Sequence, residues 1–134
     1  MEYILRSETF VLSIKLQVFE NDIKYPNNTI MSIKVESDGF SASTNMDINI
    51  KDFAKFTIDL CQIYETLSGE ARIEEPYGMH MYLSFIGNGR GHISVKGYLT
   101  SCNQVLEFKN DIDQTYLQEF CYNLKKAYCK YLDI

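Results

Sequence analysis

Few side chains in this 134-residue sequence are of types and spacings that carry chemistry. The two histidines, His80 and His92, fall on the polar sides of neighbouring predicted strands, which would bring them near each other. A metal site there would need a third ligand, for which Glu74 and Glu107 are the candidates. Nothing in the spacing demands such a site, and ordinary surface histidines are the more common outcome. We therefore predict neither a metal site nor a cofactor.

The cysteines and serines also lack catalytic spacing. The four cysteines, Cys61, Cys102, Cys121 and Cys129, form no C-x-x-C pair, and no serine stands in a G-x-S-x-G motif. Small buried or half-buried thiols in a reducing cytosol are a simpler interpretation than a disulfide. The sequence therefore predicts a cytoplasmic protein that is not an enzyme.

The glycine-rich segment 87–91, Gly-Asn-Gly-Arg-Gly, has the composition of a phosphate-binding loop. Such loops deliver the anion to the N-terminus of a following helix, whereas here a strand is predicted to follow. A flexible hairpin loop is the better interpretation.

Composition narrows the classes of partner. The chain has 13 basic and 18 acidic residues, a formal net charge of −5, which disfavours nucleic acid and anionic membranes as partners because phosphate binding needs clustered Lys and Arg. No apolar run approaches the length of a membrane span, and the early acid in segment 1–6 is unlike a signal peptide. We expect a single domain over residues 1–134.

Most of the chain alternates between apolar and polar residues, which is typical of strands with one buried face. Alternation covers residues 10–19, 31–36 and 40–48, and Asp38-Gly39 predicts a tight hairpin turn. A second block of strands follows between Ala71 and Phe108.

Two segments instead have helical periodicity. The first begins at Asn49 and ends at Ser68-Gly69, and the second runs from the cap residue Asp113 to Tyr131. Their apolar stripes match at an offset of 64 residues, which capping and amphipathicity alone would largely produce. We predict that four stripe residues are almost fully buried against a sheet: Phe56, Leu60, Phe120 and Leu124.

These elements predict an α+β fold. We expect a curved antiparallel sheet of about seven or eight strands with the two amphipathic helices packed on one face.

Two surface features could bind a partner. Acidic side chains gather after the first helix, and tyrosines, which anchor interfaces well, recur in the second strand block. A solvated acidic face and tyrosines partly buried at a sheet edge are the alternatives that need no partner. The predicted partner-binding residues are Glu70, Glu74, Glu75, Tyr77, Tyr82 and Tyr98.

The order of landmarks resembles the WapI-type immunity proteins, a family of small bacterial proteins, and their uncharacterised relatives. The resemblance rests on Phe-Val-Leu at 10–12, Ile-Lys-Asp-Phe-Ala-Lys-Phe at 50–56 with the close at Gly69, Gly-His-Ile-Ser-Val-Lys-Gly at 91–97, and Asp-Gln-Thr-Tyr-Leu at 113–117. It implies a binding protein that neutralises a partner toxin inside the producing cell, without catalytic residues to transfer.

The predicted function is therefore protein–protein recognition, and the expected partner is a toxin domain with a basic surface. The alternative is a small-molecule or lipid-like ligand held in a pocket between helices and sheet, although the residues predicted to face that gap are almost all apolar.

Overall fold

The computed structural model describes residues 1–76 and 80–134, which fold into two antiparallel sheets and two main helices. The first sheet contains four strands in the order β1-β2-β3-β4, and the second contains β5-β6-β7-β8. The elements are β1 (Glu2–Arg6), β2 (Phe10–Val18), β3 (Thr29–Ser37), β4 (Phe40–Ile48), α1 (Ile50–Thr66), β5 (Ser68–Glu74), β6 (Tyr82–Asn88), β7 (His92–Ser101), β8 (Gln104–Asp113) and α2 (Gln118–Tyr128), with 3-10 turns at Glu20–Asp22, Gln114–Tyr116 and Cys129–Asp133.

The α+β class is confirmed, but the prediction of one curved sheet is wrong. Helix α1 separates β4 from β5, and β5 pairs with β6 instead of continuing the first sheet. The two sheets meet through side chains at a seam. There the Thr44 hydroxyl donates to the Thr100 carbonyl oxygen at 2.6 Å, and the Asn110 amide donates to the Ser37 hydroxyl at 2.9 Å. Alternation predicts strands and their faces, yet it cannot say which strands share a sheet.

The strand pattern of the sequence is visible in the burial of each strand. In β3, Met31, Ile33 and Val35 are buried while Lys34 and Glu36 are exposed. The predicted turn between β3 and β4 is present, with φ of 49° at Asp38 and 89° at Gly39. Positive φ at both central positions is the turn geometry that matches strand twist, which is why Asp-Gly fixes this hairpin.

Helix α1 begins where the sequence predicts. The Asn49 side chain accepts from the Lys51 backbone N–H at 2.8 Å, and the buried Asn28 side chain accepts from the Ile50 N–H at 2.8 Å. Two of the free N–H groups of the first turn are therefore bound by amide oxygens. The helix ends differently from the prediction: Leu67, with φ of 65°, takes the left-handed cap position, and Gly69 already belongs to β5.

The C-terminal helical segment is less regular than predicted. The Asp113 carboxylate does cap its start, accepting from the Thr115 N–H at 2.9 Å and from the Thr115 hydroxyl at 2.8 Å. That cap opens a 3-10 turn, and the α-helix α2 starts only at Gln118 and ends at Tyr128. A second 3-10 turn carries the chain on to Asp133.

The predicted core is confirmed. Phe56, Leu60, Phe120 and Leu124 are 1%, 0%, 3% and 0% exposed. Phe56 packs against Phe85 of β6 with ring centroids 5.9 Å apart, so α1 covers the inner face of the second sheet. Helices α1 and α2 also pack on each other and share this core with the inner face of the first sheet.

Candidate functional site

The outer face of the second sheet is the surface on which most of the predicted binding residues converge. Strand register places side chains in rows across β5, β6, β7 and β8 on the side away from the helices. One row is Glu74, Tyr82, Tyr98 and Glu107; the next is Arg72, Ser84, Lys96 and Lys109; the third is Glu70, Ile86, Ser94 and Asp111. We call these twelve residues the tyrosine face.

Two tyrosines form the centre of this face. Tyr82 and Tyr98 are directly opposite each other on β6 and β7, and both are half-buried. Glu74 and Glu107 end the row on the two edge strands. The sequence predicted the tyrosines and Glu74 as site residues, and the fold brings these three into one row.

Arg72, in the next row, contacts both Glu74 and Tyr82, and it was not among the site residues predicted from the sequence. Its Nε donates to the Glu74 Oε2 at 3.1 Å, and its Cζ lies 4.0 Å from the centroid of the Tyr82 ring. The guanidinium therefore forms an ion pair with a carboxylate and at the same time stacks on an aromatic ring. Period-two alternation already places Arg72 between Glu70 and Glu74 on one side of β5, which is the signal that could have identified it.

Glu70 is also held in place. The Ser84 hydroxyl donates to its Oε2 at 2.9 Å, so this carboxylate lies over β6. Because Lys96 and Lys109 share the neighbouring row with Ser84, the face has mixed charge instead of being uniformly acidic.

Of the remaining two predicted binding residues, Glu75 does not belong to the face. Glu75 is half-buried, and its Oε2 accepts from the Asp47 backbone N–H at 3.0 Å, so it links the second sheet to β4. It is therefore not the solvated side chain that the sequence suggested. Tyr77 lies outside the residues that the structure describes.

The histidines do not converge. His80 precedes β6 and His92 begins β7, at opposite ends of an antiparallel pair in which Tyr82 faces Tyr98 and Gly87 faces Ile93. Tyr82 and Gly87 are five residues apart, about 17 Å along β6, and each histidine lies beyond its own end of this interval, so the two imidazoles cannot share a metal ion. Within residues 1–76 and 80–134, no group of three or more metal-ligating side chains comes together.

The glycine-rich loop between β6 and β7 is a hairpin connection, as predicted. Its Asn88 side chain accepts from the Arg90 N–H at 2.7 Å and from the His92 N–H at 3.2 Å. These bonds use the loop's own donors to close the turn.

Two cysteines meet inside the protein at the contact between the helices. Cys61 of α1 is 2% exposed and Cys121 of α2 is 0% exposed, and the Cys61 thiol donates to the Cys121 carbonyl oxygen at 3.4 Å. Burial raises the pKa of Cys61 and raises the pKa of Cys121 to about 12. Both thiols therefore stay protonated near neutral pH and are poor nucleophiles.

The space between helices and sheets is filled by large side chains. Phe53 and Phe56 of α1 and Phe85 of β6 are at most 1% exposed. A groove of about 830 Å³ lies instead at the surface, between β1 and α2. A ligand held between helix and sheet would therefore have to displace this packing or bind in the surface groove.

Comparison with known protein families identifies the family of this chain. The family model described as "Immunity protein WapI-like family" matches residues 4–132, nearly the whole chain. This chain belongs to the WapI-like immunity protein family. The resemblance in the sequence is thereby confirmed, and membership indicates an immunity function, which in this family is typically non-catalytic.

Comparison with solved structures addresses the fold alone. The crystal structures of Trypanosoma bruciei MRP1/MRP2 contain a chain similar to this one, with a TM-score of 0.51 and 11% sequence identity, over 98% of this chain and 82% of that chain. A search of curated proteins gives no significant match. Among the described residues, no helix has both the length and the apolarity that crossing a bilayer requires.

Proposed function

We propose that this WapI-like protein is a non-enzymatic, cytoplasmic immunity protein that binds and neutralises a cognate protein toxin. The observation that carries the proposal is the family match over residues 4–132. The buried thiols and separated histidines agree with recognition instead of catalysis, because neither pair has the geometry of a nucleophile–base or metal site.

We further propose that the tyrosine face contacts the toxin. Tyr82 and Tyr98 offer large, stiff, partly exposed rings at the centre of a sheet, where side chains lose little conformational entropy on binding. The ion pair and the stacking of Arg72 fix the rim of this centre before any partner arrives. Preorganised anchors of this kind reduce the entropic cost of association.

The outer face of the first sheet supports this choice by contrast. On β4 it carries Ser41, Ser43, Asn45 and Asp47, all exposed and short. Such side chains offer few buried anchors, because small polar groups contribute little area and are under-represented among strong interface contacts.

Charge on the tyrosine face indicates which groups of the toxin it would meet. Glu74 and Glu107 lie at the two ends of the tyrosine row and point a carboxylate from each edge strand. A basic toxin surface would place Lys or Arg near these two ends and an apolar or aromatic group over the rings. Opposite charges at an interface rim act mainly on the association rate and are screened by salt.

Binding to a candidate toxin domain, chosen from the coding sequences that neighbour this protein's gene, tests the proposal. We expect Tyr98→Ala to weaken the affinity by about thirtyfold or more, the range of a central aromatic anchor. Tyr25→Ala is the matched control, since Tyr25 is 64% exposed on the loop after β2. Calorimetry with the purified pair measures the affinity, and growth of cells producing the toxin measures protection.

A charge variant tests the rim separately. Glu74→Lys combined with Glu107→Lys should slow association with that toxin domain and flatten its salt dependence, whereas Glu36→Lys on the outer face of β3 should not. Glu75 is left unchanged because it holds the Asp47 N–H. If Tyr98→Ala and both rim changes leave binding intact, the interface lies elsewhere; if the wild type neither binds nor protects, the immunity proposal fails.

A further inference from the structure

Strand β1 is an edge of the first sheet whose outer backbone groups are unpaired. The Ser7 N–H donates to the Phe10 carbonyl oxygen at 2.8 Å, which makes Ser7 and Phe10 a hydrogen-bonded pair of the β1–β2 ladder. Antiparallel ladders alternate, so Tyr3 and Leu5 also direct their N–H and C=O groups to β2. The backbone groups of the residues between them point to the open edge.

Three residues therefore present their backbone at this edge: Glu2, Ile4 and Arg6. The hydrogen bonds among residues 1–76 and 80–134 include none to those backbone groups. The β4 edge differs, because its Asp47 N–H is bound by the Glu75 carboxylate. An unpaired edge is a template for another strand unless charge, proline or a bulge protects it. Here the central residue, Ile4, is apolar and 46% exposed.

The geometry points to a second copy of this chain as the strand that fills the edge. Antiparallel pairing of two β1 strands about a two-fold axis at Ile4 sets Ile4 opposite Ile4 of the second copy. Glu2 then lies opposite Arg6 of the second copy, and Arg6 opposite its Glu2. All three residues are those with outward backbone groups, so each opposed pair is a hydrogen-bonded pair. The five-residue strand is complementary to itself in charge and in hydrogen bonding.

Other registers lose this complementarity. A shift by two residues sets Ile4 opposite Glu2 or Arg6 and removes the opposite-charge pairs. A shift by one residue places outward-pointing backbone groups opposite backbone groups that already bond to β2. It also sets side chains of the outer face opposite side chains of the inner face. Only the register centred on Ile4 satisfies backbone and charge along the whole strand.

The surroundings of β1 leave room for this partner strand. The groove of about 830 Å³ lies beside β1 and is bordered on the other side by Phe120, Asn123, Lys126 and Ala127 of α2. The two-fold operation applies to this groove as well, so each copy contributes an α2 beside the joined strands. Pairing would join two four-stranded sheets into one of eight strands and cover both copies of Ile4. The tyrosine face, on the other sheet of each copy, is not used.

Mass measurement of the full chain over a concentration series tests the inference. We expect light scattering behind size exclusion to show a monomer–dimer equilibrium. Glu2→Arg alone, or Arg6→Glu alone, should raise the dissociation constant by about tenfold or more, because each places like charges opposite one another twice across the two-fold axis. The combined variant Glu2→Arg with Arg6→Glu should restore dimerisation. Glu107→Arg, exposed on β8, is the matched charge control and should dimerise as the wild type does.

A backbone variant tests the edge independently of charge. Ile4→Pro removes an N–H that points outward, a position where an edge strand tolerates proline, so the monomer should stay folded and fail to dimerise. Circular dichroism checks the fold. A wild type that is monomeric up to millimolar concentration overturns the inference, and so does a dimer that Glu2→Arg and Ile4→Pro leave unchanged. Because neither result involves a toxin, failure here is distinguishable from failure of the immunity proposal.

Discussion

The two halves of this protein have the same plan. In each, four consecutive antiparallel strands are followed by a helix, and each helix contacts the sheet of the other half: α1 packs on β5 and β6, and α2 contacts β1. The junctions correspond at an offset of 64 residues: Ile48-Asn49 leads into α1 as Ile112-Asp113 leads into the turn before α2. Both junction isoleucines are buried, and both following polar residues cap a helical turn.

The halves differ on the surfaces that burial does not constrain. Inner positions are large and apolar in both, because each meandering sheet needs a covered face. The outer face of β4 carries serine, asparagine and aspartate, whereas that of β6 and β7 carries paired tyrosines. The fold therefore requires large apolar residues on the inner faces of both sheets. The outer faces are free to differ, and their residues are available for recognition.

The largest expected effect is the loss of a leucine from either helix stripe. Leu60→Ala and Leu124→Ala, at corresponding positions of α1 and α2, should each lower the free energy of unfolding by about 2–5 kcal/mol, because both are fully buried and leave a cavity. Urea denaturation measures each change. An unchanged denaturant midpoint for Leu124→Ala would show that α2 does not share the core with α1.

The helix starts should differ between the halves. Asn28 binds the Ile50 N–H and also donates to the Ile23 carbonyl oxygen at 2.9 Å while 1% exposed, so Asn28→Ala leaves buried groups unpaired. We expect a loss of about 2–3 kcal/mol. Asp113→Ala removes an exposed cap and should cost about 1 kcal/mol. Equal losses in urea denaturation would contradict the stronger anchoring of α1.

Stability at alkaline pH should depend on Tyr131, which lies in the 3-10 turn at Cys129–Asp133. Burial and the Glu20 carboxylate, which accepts from the Tyr131 hydroxyl, raise the pKa of Tyr131 to about 12 from an ordinary value of 10.0. A tyrosine that keeps its proton more tightly when folded stabilises the protein below pH 10 and loses that contribution as the pH rises towards 12.

We therefore expect denaturant midpoints of the wild type to fall between pH 10 and pH 12, and Tyr131→Phe to lose less over the same interval. Tyr25→Phe, on an exposed loop, serves as the control and should follow the wild type. A Tyr131→Phe variant with the full wild-type pH dependence would assign the effect to other groups.

The smallest expected effect on stability is at the rim of the tyrosine face. The side chains of Arg72 and Glu74 are 41% and 62% exposed, so their ion pair should contribute about 0–1 kcal/mol to folding. Arg72→Ala should hardly move the urea midpoint, yet it should weaken toxin binding because Tyr82 loses its stacked guanidinium. A large loss of stability would mean that this face is structural.

The sequence predicted local features well because local physics determines them. Alternation, the Asp38-Gly39 turn, the caps at Asn49 and Asp113 and the buried stripes all depend on a few neighbouring residues. The division into two sheets was not predictable in this way. It depends on β5 pairing with β6 while β4 remains an edge, and strand patterns do not encode partners.

The predicted binding residues also include some that local patterns could identify and one that they could not. Tyr82, Tyr98 and Glu74 were predictable as outward residues, and register then places them in one row. Glu75 was predicted to belong to an exposed acidic cluster after the first helix, but its carboxylate accepts from the backbone N–H of Asp47, which is 28 residues away. Only the seam between the sheets reveals that contact, so sequence could not have predicted it.

The sequential strand order has a consequence for synthesis on the ribosome. Every strand pairs with a strand adjacent in sequence, so β1 to β4 are complete once residue 48 has emerged, whereas α2, the helix that contacts β1, is translated last. Local pairing of this kind closes short loops and favours rapid folding. We expect the first sheet to pair early while its apolar face stays exposed until α2 has been translated, which lengthens the time during which chaperones or aggregation can act on that face.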